Sequence, residues 1–385
     1  MGVLQTEAPS YMTEDLRLFE DAVGKFLDKE AVPLREKWDA QHHVDREMWL
    51  KGGAAGLLCP SIPEEYGGGG GSFAHDAVIA DQLGRRVLGG WGIGLHNGIV
   101  APYILNYGSE EQKKKWLPRL ASGEYVGAIA MTEPGTGSDL QSVKTTAKRV
   151  GNQYVISGAK TFITNGGTAN FVIVVAKTDP TKGSKGISLI IVETDDLPGF
   201  RRGRVLDKMG LPAADTAELF FDEVKVPTSN LLGVEEGLGF IQLMQQLSQE
   251  RLLVALQGLA SMQCALEQTI DYVKERKAFG KPLLDFQNTQ FKLAECKTQV
   301  TVAKVFCDYC IGLLMQNKLD ATTASMAKLW VTETEGKVVD ECLQLFGGYG
   351  YMNEYPIARL YTQARVQRIY GGANEIMKVL IARSL

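Results

Sequence analysis

The sequence predicts an α+β chain of three parts: a helical region over residues 1–125, a β region over 126–235 and a helical bundle over 236–385. Three observations predict this organisation. The 385 residues leave room for two or three domains. Apolar residues recur at helical spacing at both ends of the chain. In the middle, short β-branched runs alternate with turn residues, as in an antiparallel sandwich or barrel.

The first region carries two helix-start signals. Thr13 precedes a helically spaced apolar series, and Ser109–Gln112 reads as a capping box with acids in its first turn. The glycine run 67–71 lacks both a preceding strand and a following Lys-Ser/Thr pair, so it is a loop between helices in preference to a phosphate loop.

The middle region contains six short runs that predict strands. They are Val143–Val150, Tyr154–Ser157, Phe171–Lys177, Ile187–Val192, Ala217–Phe221 and Glu223–Val226. No helical pattern separates them, and no G-x-G-x-x-G follows a strand, which argues against a Rossmann sheet.

Three long apolar-periodic segments follow, over Phe240–Glu275, Pro282–Gln316 and Ala321–Leu345. Long helices with few caps predict a four-helix bundle whose faces also pack against other subunits.

Charge and cysteine usage exclude several classes of protein. The formal net charge of −4 gives no overall attraction to nucleic acid. The six cysteines form no disulfide framework, and Cys307 and Cys310 are expected as buried thiols on a helix, so no metal site is expected. The N-terminus lacks a signal or transit pattern, and no stretch of 18 apolar residues predicts a membrane span. We therefore expect a cytoplasmic protein, or a mitochondrial matrix protein if this is a processed eukaryotic chain.

Five segments carry residue types suited to chemistry. The turn in Ala130–Asp139 exposes backbone N–H groups that suit a pyrophosphate. Lys160–Gly167 places an aromatic residue beside threonines, which suits either a planar ring or an ordinary hairpin. Glu275–Pro282 is a basic loop between two helices, where a phosphate or only solvent could lie. Gln344–Gly350 and Arg368–Ile376 are the remaining two segments.

In this order and spacing, the five segments resemble the acyl-CoA dehydrogenase family over nearly the whole chain. The long-chain branch is the most similar, because Gln249–Leu253 and Ile369–Lys378 both match it. The resemblance implies FAD-dependent α,β-dehydrogenation of an acyl-CoA to the trans-2-enoyl-CoA. It also implies electron transfer to an electron-transferring flavoprotein and a homotetramer built as a dimer of dimers.

The resemblance further implies which residues bind FAD. These residues are Ile129, Ala130, Met131, Thr132, Ser138, Phe162, Ile163, Thr164, Arg276, Phe279, Gln287, Gln344, Gly347, Gly348, Ala373, Asn374 and Glu375. Phe162 stands where the family often has Trp, so packing on the flavin is expected without an indole N–H. Arg276 is expected to neutralise the pyrophosphate of FAD in a neighbouring subunit.

The catalytic base is expected to be Glu250. Many family members carry a Glu directly after the Tyr of the last segment, but here that position is Gly371. The long-chain and isovaleryl branches place the Glu on the helix that opens the C-terminal domain, which corresponds to Glu250. Its apolar neighbours would desolvate the carboxylate and raise its pKa toward that of a useful base. Without the resemblance, a surface Glu would be the simpler interpretation.

Other polar groups near these motifs have smaller expected roles. The backbone N–H of Gly371, with the flavin ribityl 2′-hydroxyl, is expected to hold the thioester carbonyl, and hydride passes to flavin N5. Glu375 is the rival acid. Glu133 is expected to be structural, and His96 to be a pocket-wall or core residue.

The remaining expectations concern the substrate. Its contacts are expected from Ser138, Leu247, Ser248, Arg251, Tyr370, Gly371 and Gly372. Small residues at Gly92, Gly94, Gly98 and Ala101 favour medium, long or branched acyl chains by widening the pocket floor. Gln363 replaces a common Asp of the family. An acyl-CoA-binding flavoprotein without turnover, and a flavin oxidase or monooxygenase on the same fold, remain as alternatives.

Overall fold

The computed structural model describes residues 3–4 and 6–385. The helices of the N-terminal region are α1 (Glu14–Phe26), α2 (Arg35–Gln41), α3 (Arg46–Ala54), α4 (Phe73–Arg85), α5 (Ile93–Leu95), α6 (Ala101–Tyr107) and α7 (Glu110–Ala121). Both helix-start predictions are confirmed: Thr13 accepts the N–H of Leu16, and Ser109 with Gln112 forms the capping box of α7. Residues 67–71 form a loop between helices, as predicted.

A π-helical turn, His96–Val100, joins α5 to α6 without a break. Wide turns of this kind shift the faces of the helix on either side of them. The turn and α6 together place Tyr103 against the C-terminal domain, where its hydroxyl contacts Glu250.

The middle region is a seven-stranded sheet with the order β1-β4-β2-β3-β7-β6, in which β5 also pairs with β4. Its strands are β1 (Gly127–Ala130), β2 (Thr146–Val150), β3 (Gln153–Ile163), β4 (Phe171–Lys177), β5 (Ile187–Glu193), β6 (Phe200–Val205) and β7 (Ala217–Pro227). Most of its strand pairs are antiparallel, as predicted, but β4 runs parallel to both β1 and β2. The β2–β3 hairpin lies between β1 and β4 in the chain, and this long connection lets β4 return in the direction of β1.

Sequence patterns also misjudged some strand limits. The two short runs over 217–226 are one strand, β7, paired along β3 with bulges that absorb the irregular spacing. β1 is only four residues long and three of them are Gly or Ala, and β6 is rich in arginine, so neither shows the apolar alternation that identifies a strand.

The N-terminal helices pack against both faces of the sheet. Val172 and Val174 of β4 join a core that contains Trp38, Trp49 and Trp91. Phe171 and Ile173, on the opposite face, join a second core. Because both faces of this strand are buried, the helices and the sheet form one packed unit.

The C-terminal region comprises α8 (Gly239–Glu275), the hairpin strands β8 (Lys277–Ala278) and β9 (Lys281–Pro282), α9 (Gln287–Met315), α10 (Ala321–Phe346), α11 (Pro356–Gln367) and α12 (Asn374–Ala382). α9 begins five residues later than predicted because Pro282 belongs to the hairpin and a tight turn follows it. The 37 residues of α8 pack against α4 in the N-terminal region and against α9, α10 and α11.

By length and composition alone, α9 is the one described helix that could cross a membrane, and its most apolar stretch is 28 % buried. Cys307 and Cys310 on this helix are buried free thiols, as expected. Within the described residues, no group of His, Cys, Asp and Glu side chains could hold a metal ion.

A buried ion pair joins the turn after β1 to β3. The Lys160 Nζ lies 2.8 Å from a carboxylate oxygen of Glu133, and both side chains are almost fully buried. Glu133 also accepts the backbone N–H groups of Lys144 and Thr145. These contacts agree with the structural role expected for Glu133.

Replacing Lys160 by Met should destabilise the protein by about 3–5 kcal/mol, because Glu133 would remain buried without a cation. Urea unfolding of the two proteins measures this loss. The matched control is Lys25→Met, which breaks the exposed Lys25–Asp21 pair and should cost less than about 1 kcal/mol. Equal losses in the free energy of unfolding for the two variants would show that burial does not increase the contribution of the Lys160–Glu133 pair.

Candidate active site

The site centres on the carboxyl group of Glu250, which lies on α8 and is 4 % exposed. The Tyr103 hydroxyl donates a hydrogen bond to its Oε1 at 2.9 Å. Tyr103 lies on α6 and is itself fully buried. The interface between α6 and α8 therefore shields the carboxyl from bulk solvent while leaving it one hydrogen bond.

Burial raises the pKa of Glu250 to about 7, whereas the Tyr103 hydrogen bond and the positive charge of Arg251 act in the opposite direction. Near neutral pH such a carboxyl is partly ionised and still a stronger base than an ordinary glutamate. This is the property that a general base for a weakly acidic C–H group requires.

Arg251 turns away from Glu250, as its position about 100° round the helix predicts. Its Nη1 donates to the Ser325 hydroxyl of α10 at 3.4 Å. The buried Nε has no hydrogen-bond partner among the residues described. Arg251 thus influences the charge of Glu250 through space without neutralising it in an ion pair.

Gly371 lies beside α8 one turn beyond Glu250. A Cβ at this position would be 3.2 Å from Val254, and the backbone takes a positive φ of 64°. Side-chain-bearing residues adopt this conformation at a cost, so the segment is built for glycine. A glutamate at position 371 would strain the backbone, whereas Glu250 lies within the helix α8.

The segment after Gly371 is held by residues that sequence reasoning missed. Lys328 on α10 is buried, and its Nζ donates to the Gly372 carbonyl at 2.9 Å and to the Asn374 Oδ1 at 2.8 Å. Asn374 in turn donates to Thr332. The sequence did contain one sign of this role, since Lys328 is a charged residue inside an apolar helical segment. The sequence alone does not show which group it contacts.

Glu375, the rival acid, opens α12 and is exposed to solvent. It forms no ion pair with any described residue. The two candidate acids therefore differ sharply in environment, and only Glu250 is desolvated.

The first group of expected FAD residues converges at the end of β1. The backbone N–H of Thr161 donates to the Thr132 carbonyl, and Lys160 Nζ donates to the Met131 carbonyl. Ile129, Ala130 and Ile163 are buried here, while Met131, Thr132 and Thr164 are half-buried. Two segments separated by about thirty residues thus form one surface.

Phe162 projects from this surface. It is 67 % exposed and has a φ of 59°, in the left-handed region that aromatic residues rarely occupy. An exposed ring held by an unfavourable backbone conformation fits stacking on a planar group that the protein alone does not supply.

Three glycines of the expected FAD segments lack a reason within the chain. A Cβ at Gly135, Gly137 or Gly348 would meet no atom within 4 Å, and their φ angles are not positive. Close approach of a ligand or of another chain is the remaining reason for glycine. Ser138 is exposed beside the first two, so this turn fits the pyrophosphate of FAD.

The second group of expected FAD residues forms a separate surface. Arg276 lies 5.6 Å above the Tyr349 ring, next to the exposed Gln344, Gly347 and Gly348. Phe279, at the tip of the β8–β9 hairpin, is 96 % exposed, and Gln287 is exposed at the start of α9. Along α8, Arg276 is roughly 39 Å from Glu250, so one chain does not bring the two groups together.

Most of the expected substrate residues lie on α8 or on the last segment, whereas Ser138 lies on the exposed turn after β1. Leu247 and Ser248 are half-buried on the preceding turn of α8. The Tyr370 hydroxyl lies within hydrogen-bond distance of Gln257 and Gln367. The first of these contacts places Tyr370 against α8, and the second ties it to the end of α11.

Of the four small residues expected at the pocket floor, Gly94 borders a small cavity. Gly92 packs against Asn165 and Gly98 against Leu253, each so closely that a Cβ would collide, and Ala101 is in the core. Their size reflects tight packing, so the expectation of a floor widened by all four was wrong.

His96 is a core residue. Its Nδ1 accepts the Gly127 N–H at 3.1 Å, and its Nε2 lies 3.0 Å from the Leu120 carbonyl. These two bonds define one neutral tautomer, and burial lowers the pKa of His96 to about 4. It ties α5 and its π-turn to β1.

Comparison with known proteins agrees with this geometry. Three family profiles match the chain: "Acyl-CoA dehydrogenase, N-terminal domain" over residues 13–124, the middle domain over 128–224 and the C-terminal domain over 237–385. The long-chain specific acyl-CoA dehydrogenase of Mus musculus is 49% identical over 370 residues, which are 96% of this chain and 86% of the mouse protein.

Solved structures show the same fold. An acyl-CoA dehydrogenase from Geobacillus kaustophilus superimposes with a TM-score of 0.95 at 49% identity, covering 98% of this chain and 99% of that one. A glutaryl-CoA dehydrogenase from Mycobacterium smegmatis in complex with FADH2 gives a TM-score of 0.90 at 29% identity, covering 97% and 94%. The chain belongs to the acyl-CoA dehydrogenase family, a family of FAD-dependent oxidoreductases.

Proposed function

We propose that this chain oxidises an acyl-CoA thioester between its α and β carbons, with Glu250 as the base that removes the α proton. The observation that carries this proposal is the carboxyl of Glu250, buried at the α6–α8 interface with Tyr103 as its hydrogen-bond donor. In that environment a carboxylate gains basicity without losing its orientation.

The α proton of a thioester is weakly acidic, so its removal needs stabilisation of the developing enolate. The backbone N–H of Gly371 is the donor we assign to the thioester carbonyl. Lys328, bound to the neighbouring Gly372 carbonyl, holds this segment in place. A preorganised donor of this kind lowers the barrier because it needs no rearrangement during the reaction.

Bound FAD would supply the hydride acceptor for the β carbon, and we propose an electron-transferring flavoprotein as the acceptor of the electrons. The residues that would hold it are those at the end of β1, the exposed ring of Phe162 and the turn around Ser138. The 49% identity to a long-chain specific enzyme supports medium, long or branched acyl chains as substrates.

We further propose that the second FAD surface serves a neighbouring subunit in a homotetramer. The distance of roughly 39 Å along α8 between Glu250 and Arg276 separates the two surfaces within one chain. The ring of Phe279 meets only the edge of Phe286 and remains 96 % exposed. A second copy that brings its Arg276 loop to the FAD of the first would explain both observations.

Replacing Glu250 by Gln should slow anaerobic flavin bleaching by an acyl-CoA at least about 10²-fold, because the amide keeps the size but cannot take the proton. FAD should remain bound, as its absorption spectrum will show. The matched control is Glu375→Gln, the same chemical change in an exposed acid four residues beyond Gly371. If Glu250→Gln still bleaches the flavin and Glu375→Gln does not, Glu250 is not the base.

Replacing Tyr103 by Phe should move the pH dependence of flavin reduction. The Tyr103 hydrogen bond lowers the pKa of Glu250, so its loss should raise that pKa and shift the acid limb upward by about one pH unit. Stopped-flow reduction across the pH range measures the shift. Tyr107→Phe is the control, since the Tyr107 hydroxyl lies within hydrogen-bond distance of the Gln242 carbonyl and the Gln245 Oε1 and forms no hydrogen bond with Glu250. A limb that moves down, or moves equally in both variants, contradicts the assignment.

Replacing Arg276 by Ala should weaken FAD retention by about 1.5–3 kcal/mol, the typical contribution of a hydrogen bond to a charged group. Equilibrium dialysis measures the retained FAD. Lys274→Ala removes a cation two residues earlier and should leave retention unchanged. If the Arg276 variant loses FAD no faster than the control, the loop does not contact the cofactor in any subunit.

A further inference from the structure

A small cavity with a polar wall lies beside the proposed reaction site. Its volume is about 50 Å³, and it is bordered by residues of the N-terminal helices, by Leu211 and by the C-terminal helices. On the C-terminal side the wall consists of Gln257, Gln363, Gln367 and Tyr370. The space exceeds what one water molecule needs, and it would accept the end of a flexible ligand.

The three amide groups in this wall are only partly satisfied. The Tyr370 hydroxyl lies 3.2 Å from the Gln257 Oε1 and 3.1 Å from the Gln367 Oε1. A hydroxyl has one proton, so it donates to one amide and accepts from the other. Tyr370 thus pairs with one heteroatom of each of these two amides. The other side-chain heteroatoms of Gln257 and Gln367, and both of Gln363, form no hydrogen bond with the described residues, and they keep some accessible surface.

The cavity lies on the path that an acyl chain would follow from Glu250. Gln257 is seven residues after Glu250 on α8, which places it on the same face about 10 Å farther along. Gly94 leaves room for the Gln257 amide, because a Cβ at Gly94 would lie only 2.9 Å from the Gln257 Nε2. Tyr370 precedes Gly371 directly, so the wall adjoins the segment assigned to the thioester carbonyl.

The wall is polar but uncharged. None of the side chains that border the cavity is an acid, a lysine or an arginine. A hydrogen-bonding group in the cavity, whether water or part of a ligand, would pair with these amides, whereas an apolar group would leave them unpaired at a cost in free energy. A buried carboxylate would need a cation, and the wall offers none. The chemistry that fits is a neutral oxygen function.

We propose that the preferred acyl group carries a neutral oxygen, a hydroxyl or a ketone, near its distal end, and that Gln257, Gln363 and Gln367 bind it. The proposal rests on the proposed dehydrogenase function and adds the class of substrate. Gln363, where the family commonly carries Asp, completes the wall without introducing a charge.

The test compares acyl-CoA substrates of equal chain length with the FAD-loaded enzyme. One is unsubstituted, one has a terminal hydroxyl, one a ketone next to the terminal carbon and one a terminal carboxylate. At the preferred length, kcat/KM for flavin reduction should favour the hydroxyl or the ketone over the unsubstituted chain by about tenfold, the effect of one well-formed hydrogen bond. The carboxylate should be the poorest of the four.

Gln363→Met then tests the wall, since it keeps the side-chain length and removes the amide. The ratio of kcat/KM between the oxygenated and unsubstituted substrates should fall about tenfold. Gln153→Met, the same change at an exposed position on β3, should leave that ratio as it is in the unmodified enzyme.

Equal kcat/KM for the substituted and unsubstituted chains at every length, or a ratio that Gln363→Met does not change, would overturn this inference and show that the cavity holds water only. A preference for the carboxylate would overturn it as well. If none of the four substrates bleaches the flavin, the proposed function itself fails, so the two failures are distinguishable.

Discussion

The desolvation of one carboxyl group organises the site. Glu250 lies where α6 of the N-terminal region meets α8 of the C-terminal region, and Tyr103 donates to it across that interface. Neither region alone could bury the group. The packing of the two regions is therefore a requirement of the proposed chemistry, since solvent would otherwise return the carboxyl to ordinary acidity.

The same interface explains the surrounding architecture. The π-turn between α5 and α6 directs Tyr103 toward α8, and His96 fastens that turn to β1 through Gly127 and to α7 through Leu120. β1 also ends at the surface expected to receive the flavin. Lys328 holds the Gly371 segment from the opposite side. Base, carbonyl donor and cofactor surface are thus all attached to a rigid frame, which suits a reaction that depends on orientation.

Much of this was predictable from sequence, and the failures have physical reasons. Thr13 and Ser109 start helices because their hydroxyls satisfy local backbone N–H groups, a short-range effect that sequence reveals. The parallel pairing of β4 with β1 depends on strand order, which composition does not encode. Tyr103 and Lys328 lie far in sequence from the groups they contact, so no local pattern could identify them. The glycines at 92 and 98 suggested open space, but they fit close contacts with Asn165 and Leu253.

An infrared titration of the Glu250 carboxyl tests its desolvation directly, when taken as the difference between the unmodified protein and Glu250→Gln. The subtraction removes the other buried acids, Asp76 and Glu335, which also have raised pKa values. Because the pKa of Glu250 is about 7, we expect a protonated-carboxyl band that is present one pH unit below 7 and lost one unit above it. A band that disappears near the pKa of a free glutamate, about 4.3, would show that the Glu250 carboxyl is solvated and would contradict its proposed role as a desolvated base.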